Sequence, residues 1–445
     1  MGDVESKIGN RWIVVVGALL IQLCLGAIYS WSVFTRLITL PFSEGGIYGF
    51  TATQSAWIFS AGLATFAIVM VLAGRMQSKT TPRRLAAAGG IVLGLGYMLA
   101  GLFGSSFLSQ LFFIGIVGGA GIGLGYVVPI AVGVKWFPDK KGLVTGLAVA
   151  GFGFGATLWV KLADSWFGGL LNTTNFLGLP GVQSVFFIYG VAFLILVLAG
   201  STVMINPPEG YRPKGWEPEK LAKSKNASGH IEMESSQMLK TPQFYMLWLM
   251  FCLSALAGLM VISCIKLFGI DALQASGAVA DASSAGIVAG TAMALYAILN
   301  GLGRIVWGAV SDRVGRKIAL FAMCLFQGVI MLLFFNLGAS EIGLIFGACV
   351  IGFNFGGNFA LFPAATADFF GNKNVGKNYG WVFLSYGVAG IAGPQVAGYF
   401  KDAAIRAAGS AIQEAVNAWR TPFLIAAVGC IVAAVVALML KKPRE

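Results

Sequence analysis

Apolar residues run along this chain in long blocks rather than in alternation, at about residues 12–35, 53–74, 84–104, 107–134, 142–167 and 184–205. They recur at 243–265, 284–310, 317–337, 342–364, 378–400 and 421–440. A helix needs about 20 apolar residues to cross a hydrocarbon core of about 30 Å, so the pattern predicts twelve transmembrane helices in two sets of six. The longest polar stretch, 206–241, separates the sets and contains Pro207, Pro208, Pro213 and Pro218. It reads as a linker, helical only in part. The expected organisation is a six-helix bundle over 1–205, a linker over 206–241 and a second six-helix bundle over 242–445. A final segment, 401–419, sets Ile405, Ile412, Val416 and Trp419 on about one face and predicts an interfacial helix.

Composition agrees with a lipid environment: 57% of the 445 residues are hydrophobic and 11% charged, with a mean hydropathy of +0.81. Twelve spans leave no room for a sizeable soluble domain, so the partner is a lipid bilayer. The net charge of +12 forms no single basic arm. With a cytoplasmic N-terminus, 23 of the 30 Lys and Arg residues fall on the cytoplasmic side. The positive-inside rule then puts both termini in the cytoplasm of a cell (inner) membrane protein, and the basic surplus faces an anionic leaflet rather than nucleic acid.

The six cysteines lie in apolar segments without metal-ligand spacing, and the single histidine, His230, lies in the linker. No metal or other cofactor is expected. Gly118, Gly119, Gly121, Gly123 and Gly125, like Gly151, Gly153 and Gly155, sit inside apolar helices and read as helix-packing surfaces, not phosphate loops. There is no Walker A sequence, and no nucleophile, base and orienter converge, so neither an ATP-driven pump nor an enzyme is predicted. The chain is expected to be a monomer.

Two loops mark the halves. After the eighth span come Gly308, Asp312, Arg313, Gly315, Arg316 and Lys317, which match the Gly-x-x-x-Asp-Arg-x-Gly-Arg-Lys loop of major facilitator transporters. The loop after the second span keeps Gly74, Arg83 and Arg84 but has Ser78 where the acid is expected. Asp312 and Arg316 are therefore gating candidates. Further motifs are Gln22-Leu23-Cys24-Leu25-Gly26-Ala27-Ile28-Tyr29-Ser30-Trp31 in the first span, Lys135-Trp136-Phe137-Pro138-Asp139-Lys140-Lys141-Gly142 after the fourth, Leu239-Lys240-Thr241-Pro242-Gln243-Phe244 before the seventh and Ala360-Leu361-Phe362-Pro363 in the tenth. In these the chain resembles the oxalate/formate antiporter family of the major facilitator superfamily, itself related to the monocarboxylate transporters. The resemblance covers essentially the whole chain. It implies an all-α membrane fold of twelve helices in two pseudo-symmetric halves, and a small carboxylate anion as substrate.

Arg304 stands eight residues before Asp312, about 12 Å up the helix. An Arg near the middle of a span costs about 2.5–3.5 kcal/mol to insert and normally faces a cavity with a task. Asn300 and Tyr296 precede it by four and eight residues on one helical face, and a guanidinium fork fits a carboxylate. The competing structural reading pairs Arg304 with a carboxylate from another helix. In the resembling family an Arg at this place binds the substrate anion. Other pocket candidates are polar or aromatic residues within spans: Tyr29, Tyr126, Asn354, Phe355, Asn358, Phe359, Ser385 and Tyr386. The family's aromatic surround of the substrate favours Tyr29, Tyr126, Phe355 and Phe359.

Departures from the family matter as much. The oxalate-transporting pattern has a Lys in the eleventh span where this chain has Tyr386. A single Arg balances one negative charge, which favours lactate, pyruvate or formate over oxalate. The related monocarboxylate carriers have an acid one turn before the eighth-span Arg, and Asn300 stands there in this chain. Lys161 and Asp164, near the outer end of the fifth span, read either as a snorkelling ion pair or as an external gate or proton-responsive pair, and Asp164, a Tyr or the substrate itself is left to serve any proton coupling. The expected function is secondary active transport of a small monocarboxylate, with proton symport or by carboxylate exchange. The alternatives are a major facilitator carrier of another solute (oxalate, a sugar or a drug) and a carboxylate sensor that does not transport.

Overall fold

A computed structural model describes residues 10–40, 42–77, 79–164, 166–176, 178–179, 181–208, 210–213, 232–408 and 416–441. Helix α1 runs Trp12–Leu25, tightens into a 3-10 turn over Gly26–Ser30 and continues as Trp31–Ile38. Next come α2 (Ala52–Met76), α3 (Pro82–Phe103), α4 (Phe107–Trp136, π-helical over Leu111–Gly118), α5 (Lys141–Asp164) and α6 (Gly181–Ser201). The second half comprises α7 (Pro242–Ala275), α8 (Ala282–Val314), α9 (Arg316–Leu337), α10 (Glu341–Phe370), α11 (Val375–Ala408) and α12 (Arg420–Met439). Eleven of these are long and apolar enough to cross a membrane, and α11, at 34 residues, is the twelfth. The twelve-helix expectation therefore holds.

Helix starts follow local chemistry. Thr81 and Thr241 each accept a bond from the backbone N–H three residues on, and each precedes a proline at the first helical position. Helix ends depart from the apolar blocks, because α7, α8, α10 and α11 carry extra turns whose polar residues hydropathy discounts. The interfacial helix expected over 401–419 is corrected in the same way. Helix α11 continues unbroken through Ala408, and Ile412 lies outside the described residues.

The halves α1–α6 and α7–α12 meet along two seams, α5 against α8 and α2 against α11. Glycine makes both possible where backbones cross. A Cβ on Gly308 would strike the Gly142 carbonyl, and one on Gly74 would strike the Gly376 carbonyl. These crossings lie at one end of the bundle, the linker end, with the loops after α2, α4, α8 and α10. The two loops that share a motif thus occupy equivalent places.

Their chemistry differs. At the α5–α8 seam Asp312 accepts from Gly142 N at 3.0 Å and Leu143 N at 2.9 Å, two first-turn donors of α5 that have no partner within their own helix. Arg316 holds Asp312 at 2.8 Å and Asp368 at 2.7 Å, and also donates to Ser311; Lys141 reaches Asp368 across the seam at 3.1 Å. Two cations and two carboxylates thus bind the end of α5 to α8, α9 and α10. On its other side the same loop is held within its own half, by Arg11 on Asp139 at 3.1 Å and Trp136 Nε1 on the Ile205 carbonyl at 2.7 Å.

At the α2–α11 seam Arg75 lies over the Trp381 ring at 5.2 Å, and Ser78 itself is outside the described residues. The carboxylate near the start of α11 comes from the linker. Glu232 accepts from Asn372 N at 3.1 Å and Lys373 N at 2.8 Å, and Met233 exchanges bonds with Phe370, Asn374 and Asn378.

Replacing Asp312 by Asn should leave the helices inserted but weaken this end. Loss of its charge removes charge-assisted bonds worth about 1.5–3 kcal/mol each. A cysteine placed at Val144, buried in the parent, should react faster with a polar maleimide in the Asp312→Asn background. Unchanged labelling would show that Asp312 does not hold the seam.

Candidate functional site

The centre of the bundle is an aromatic layer at mid-membrane depth. Phe66, Tyr126, Phe152, Arg304, Phe359 and Tyr386 stand ten or eleven residues in from Met76, Trp136, Lys141, Val314, Phe370 and Val375, the linker-end residues of their helices. At about 1.5 Å per residue this is about 15 Å, half the hydrocarbon thickness.

Local backbone features aim these side chains. The 3-10 turn of α1 includes Gly26, whose missing Cβ leaves room for the Phe152 carbonyl. That approach sets the Tyr29 ring edge-on to Phe152 with centroids 5.0 Å apart. Pro363 has no N–H to give the carbonyl of Phe359, four residues earlier, so α10 is loosened at the residue that faces Arg304. Pro394 likewise leaves the Gly390 carbonyl without a helical donor, and Ser60 of α2 approaches it at 3.4 Å.

Arg304 is fully buried, at 0% exposure. Its Nε donates to Asn300 Oδ1 at 2.9 Å, and Nη1 donates to the Val149 carbonyl of α5, in the other half, at 2.8 Å. The Phe359 ring lies 4.1 Å from the guanidinium carbon and the Phe152 ring 5.3 Å. Among the described residues no carboxylate pairs with it, which disfavours the structural ion-pair reading. Three polar groups at this centre have no hydrogen-bond partner of good geometry within the described structure: the donors Arg304 Nη2 and Asn300 Nδ2, and the Tyr126 hydroxyl, which can donate or accept. Tyr29 and Tyr126 pack edge-on to Phe152, Tyr296 packs near Phe355, and Tyr379 and Tyr386 pack against Phe383 in the same layer.

The contacts form a closed ring through five helices. Tyr29 of α1 meets Phe152 of α5, Phe152 faces Arg304 of α8, Arg304 lies over Phe359 of α10, and Phe359 packs against Tyr386 of α11 at 5.5 Å. Tyr386 closes the ring with a hydroxyl–hydroxyl hydrogen bond to Tyr29. Phe355 joins from beside Tyr29 and Phe359, with centroids 6.3 and 5.2 Å away.

Several sequence expectations change. Arg304 does not open onto a cavity in this arrangement; protein groups wrap it, and two of its three nitrogens are engaged, so its fork is not fully available. Tyr296 turns its hydroxyl away to the Gly258 carbonyl at 3.1 Å. Asn354 accepts from Trp307 Nε1 at 3.2 Å, Asn358 accepts from Ser254 at 2.6 Å and donates to the Phe355 carbonyl, and Ser385 donates to its own helix at Val382. These three bind helix to helix or back-bond instead of facing Arg304. Lys161 is half-buried, nine residues past Phe152 and about 13 Å from the aromatic layer. The side chain of Asp164 lies outside the described residues. Asp312 and Arg316 belong to the linker end, not to this layer.

The sequence reading missed Phe152, Phe66, Phe383, Tyr379 and the Val149 carbonyl. Phe152 had a signal, since it sits between Gly151 and Gly153, whose bare faces pack on Leu19 and Gly301 and so press it into the centre. A backbone carbonyl carries no signal in sequence.

Residues 23–290 and 280–445 match the Major Facilitator Superfamily. The chain is 30% identical over 388 residues to the uncharacterized MFS-type transporter YhjX of Escherichia coli K12, covering 86% of each. It is 26% identical over 438 residues to the oxalate:formate antiporter of Oxalobacter formigenes, covering 97% of this chain and 92% of that one. With apicoplast pyruvate carrier 1 of Toxoplasma gondii it shares 25% identity over 451 residues, covering 84% and 81%. Among solved structures, a bacterial homolog of the human lysosomal transporter Spinster, inward-facing, superposes with a TM-score of 0.63 at 16% identity and 97% coverage of both chains. FucP in the outward conformation superposes at 0.62 and 16% identity, over 98% of this chain and 100% of that one. The chain belongs to the Major Facilitator Superfamily and is a multi-pass membrane transporter of small solutes.

Proposed function

We propose that this protein is a secondary active transporter of a small monocarboxylate such as lactate, pyruvate or formate, working by alternating access between halves 1–205 and 242–445 joined by the linker 206–241. Both termini face the cytoplasm of the cell membrane in this reading. The observation that carries it is the set of unpaired polar groups at Arg304. Arg304 Nη2, Asn300 Nδ2 and the Tyr126 hydroxyl are buried without a hydrogen-bond partner of good geometry, and each such group costs about 1–3 kcal/mol until a lone pair meets it. A carboxylate supplies several lone pairs and the opposite charge. The names of the relatives, an oxalate:formate antiporter and a pyruvate carrier, support the same substrate class.

Valence follows from the remaining side chains. Tyr386 is neutral and bonds Tyr29, so Arg304 is the cation that a substrate meets in the aromatic layer. A monoanion is balanced there. A dianion would leave one charge uncompensated, at a cost of several kcal/mol.

In proteoliposomes, Arg304→Lys should weaken labelled lactate uptake by at least tenfold in half-saturating concentration, about 1.4 kcal/mol. Lys keeps the charge but cannot hold Asn300 while presenting a planar pair of donors to a carboxylate. Wild-type affinity in that variant would count against the guanidinium as anchor. Separately, Tyr386→Lys should make lactate uptake sensitive to oxalate, while the parent remains insensitive. Tight oxalate inhibition of the parent would overturn the monoanion assignment.

A further inference from the structure

Arg304 is anchored across the seam between the halves. Its Nη1 binds the Val149 carbonyl of α5, while Nε binds Asn300 on its own helix and each half contributes one ring, Phe152 and Phe359. The approach is built in. A Cβ on Gly153 would sit 3.0 Å from Asn300 Oδ1 and closer still to the backbone of Gly301, and one on Gly146 would strike the Arg304 carbonyl, so only a glycine face lets α5 bring Val149 this near. The partners are dipoles and ring faces. They solvate the guanidinium without neutralising it.

Among the described residues around Arg304, no side chain gains or loses a proton near neutrality. The ionisable side chains packed into the aromatic layer with Arg304 are Tyr29 from α1, Tyr126 from α4, Tyr296 from α8, and Tyr379 and Tyr386 from α11, all phenols. From α5 and α10 it meets Phe152 and Phe359.

We infer that the protein performs net, electrogenic transport of its monoanion, because Arg304 trades the Val149 carbonyl for the substrate carboxylate on loading and takes it back on release. This rests on the reading of Arg304 as anion anchor. A carrier whose anchoring cation had no partner of its own would be trapped until a second anion arrived, and would run only as an exchanger. Here the bond that closes the halves without substrate is made by the same guanidinium that binds substrate. Loading therefore weakens the α5–α8 contact at mid-membrane, and release restores it. In each cycle the loaded centre is neutral and the returning centre carries one positive charge. One negative charge crosses per turn, with no proton held by the described groups around Arg304.

The test uses the full-length protein in proteoliposomes containing no carboxylate, with labelled pyruvate outside, a potassium gradient with valinomycin to set the potential, and protein-free vesicles as control. Uptake should proceed without internal carboxylate, rise several-fold when the interior is made positive and fall when it is made negative. Preloading with lactate should change the initial rate far less than the potential does. Uptake that needs preloading, or that follows a pH gradient and ignores the potential, would overturn the inference while leaving the substrate assignment intact. Absence of both net uptake and exchange would sink the assignment as well. Phe359→Leu removes the nearer ring and should slow net uptake several-fold more than it slows exchange. An equal loss in both modes would show that these partners do not support the return step.

Discussion

A guanidinium in the middle of a bilayer must be surrounded by groups that replace water, and much of this structure follows from meeting that requirement at Arg304. Lipid offers neither acceptors nor dipoles there. The acceptors come from Asn300, one turn earlier, and from a backbone carbonyl on a helix of the opposite half. Reaching that carbonyl needs α5 and α8 to touch backbone to backbone, which is why Gly146, Gly153, Gly301 and Gly308 line their contact. Phe152 and Phe359 add their ring faces.

Hydropathy and the loop motif made the twelve helices and the gathering of charge at the linker end legible, because both depend on the solvent each residue meets. Arg304 was legible for the same reason, as the charge that does not belong in lipid. Direction around a helix was not. In α10 the pairs Asn354/Asn358 and Phe355/Phe359 each lie four residues apart, so periodicity defines two stripes about 100° apart without saying which faces Arg304. Packing chose the aromatic stripe, while Asn358 turned to Ser254 and Asn354 to Trp307. Nor does sequence announce a bond between Tyr29 and Tyr386, which are distant in the chain and meet only because α1 and α11 pass each other at the centre.

The two seams use unequal chemistry. One concentrates two carboxylates and two cations around the start of α5, and breaking such a set exposes charges that hold one another. At the other, the described contacts include a glycine crossing, an arginine over a tryptophan ring and Ser60 on the Gly390 carbonyl. The halves are alike in fold while their two seams present different side chains to one another.

The clamp of Glu232 on Asn372 and Lys373, together with the bond from Lys135 to Asn206, fastens one described end of the linker to each half. Any rocking of one half against the other must therefore change the distance between these two anchor points, so that separation is a ruler for the transport cycle.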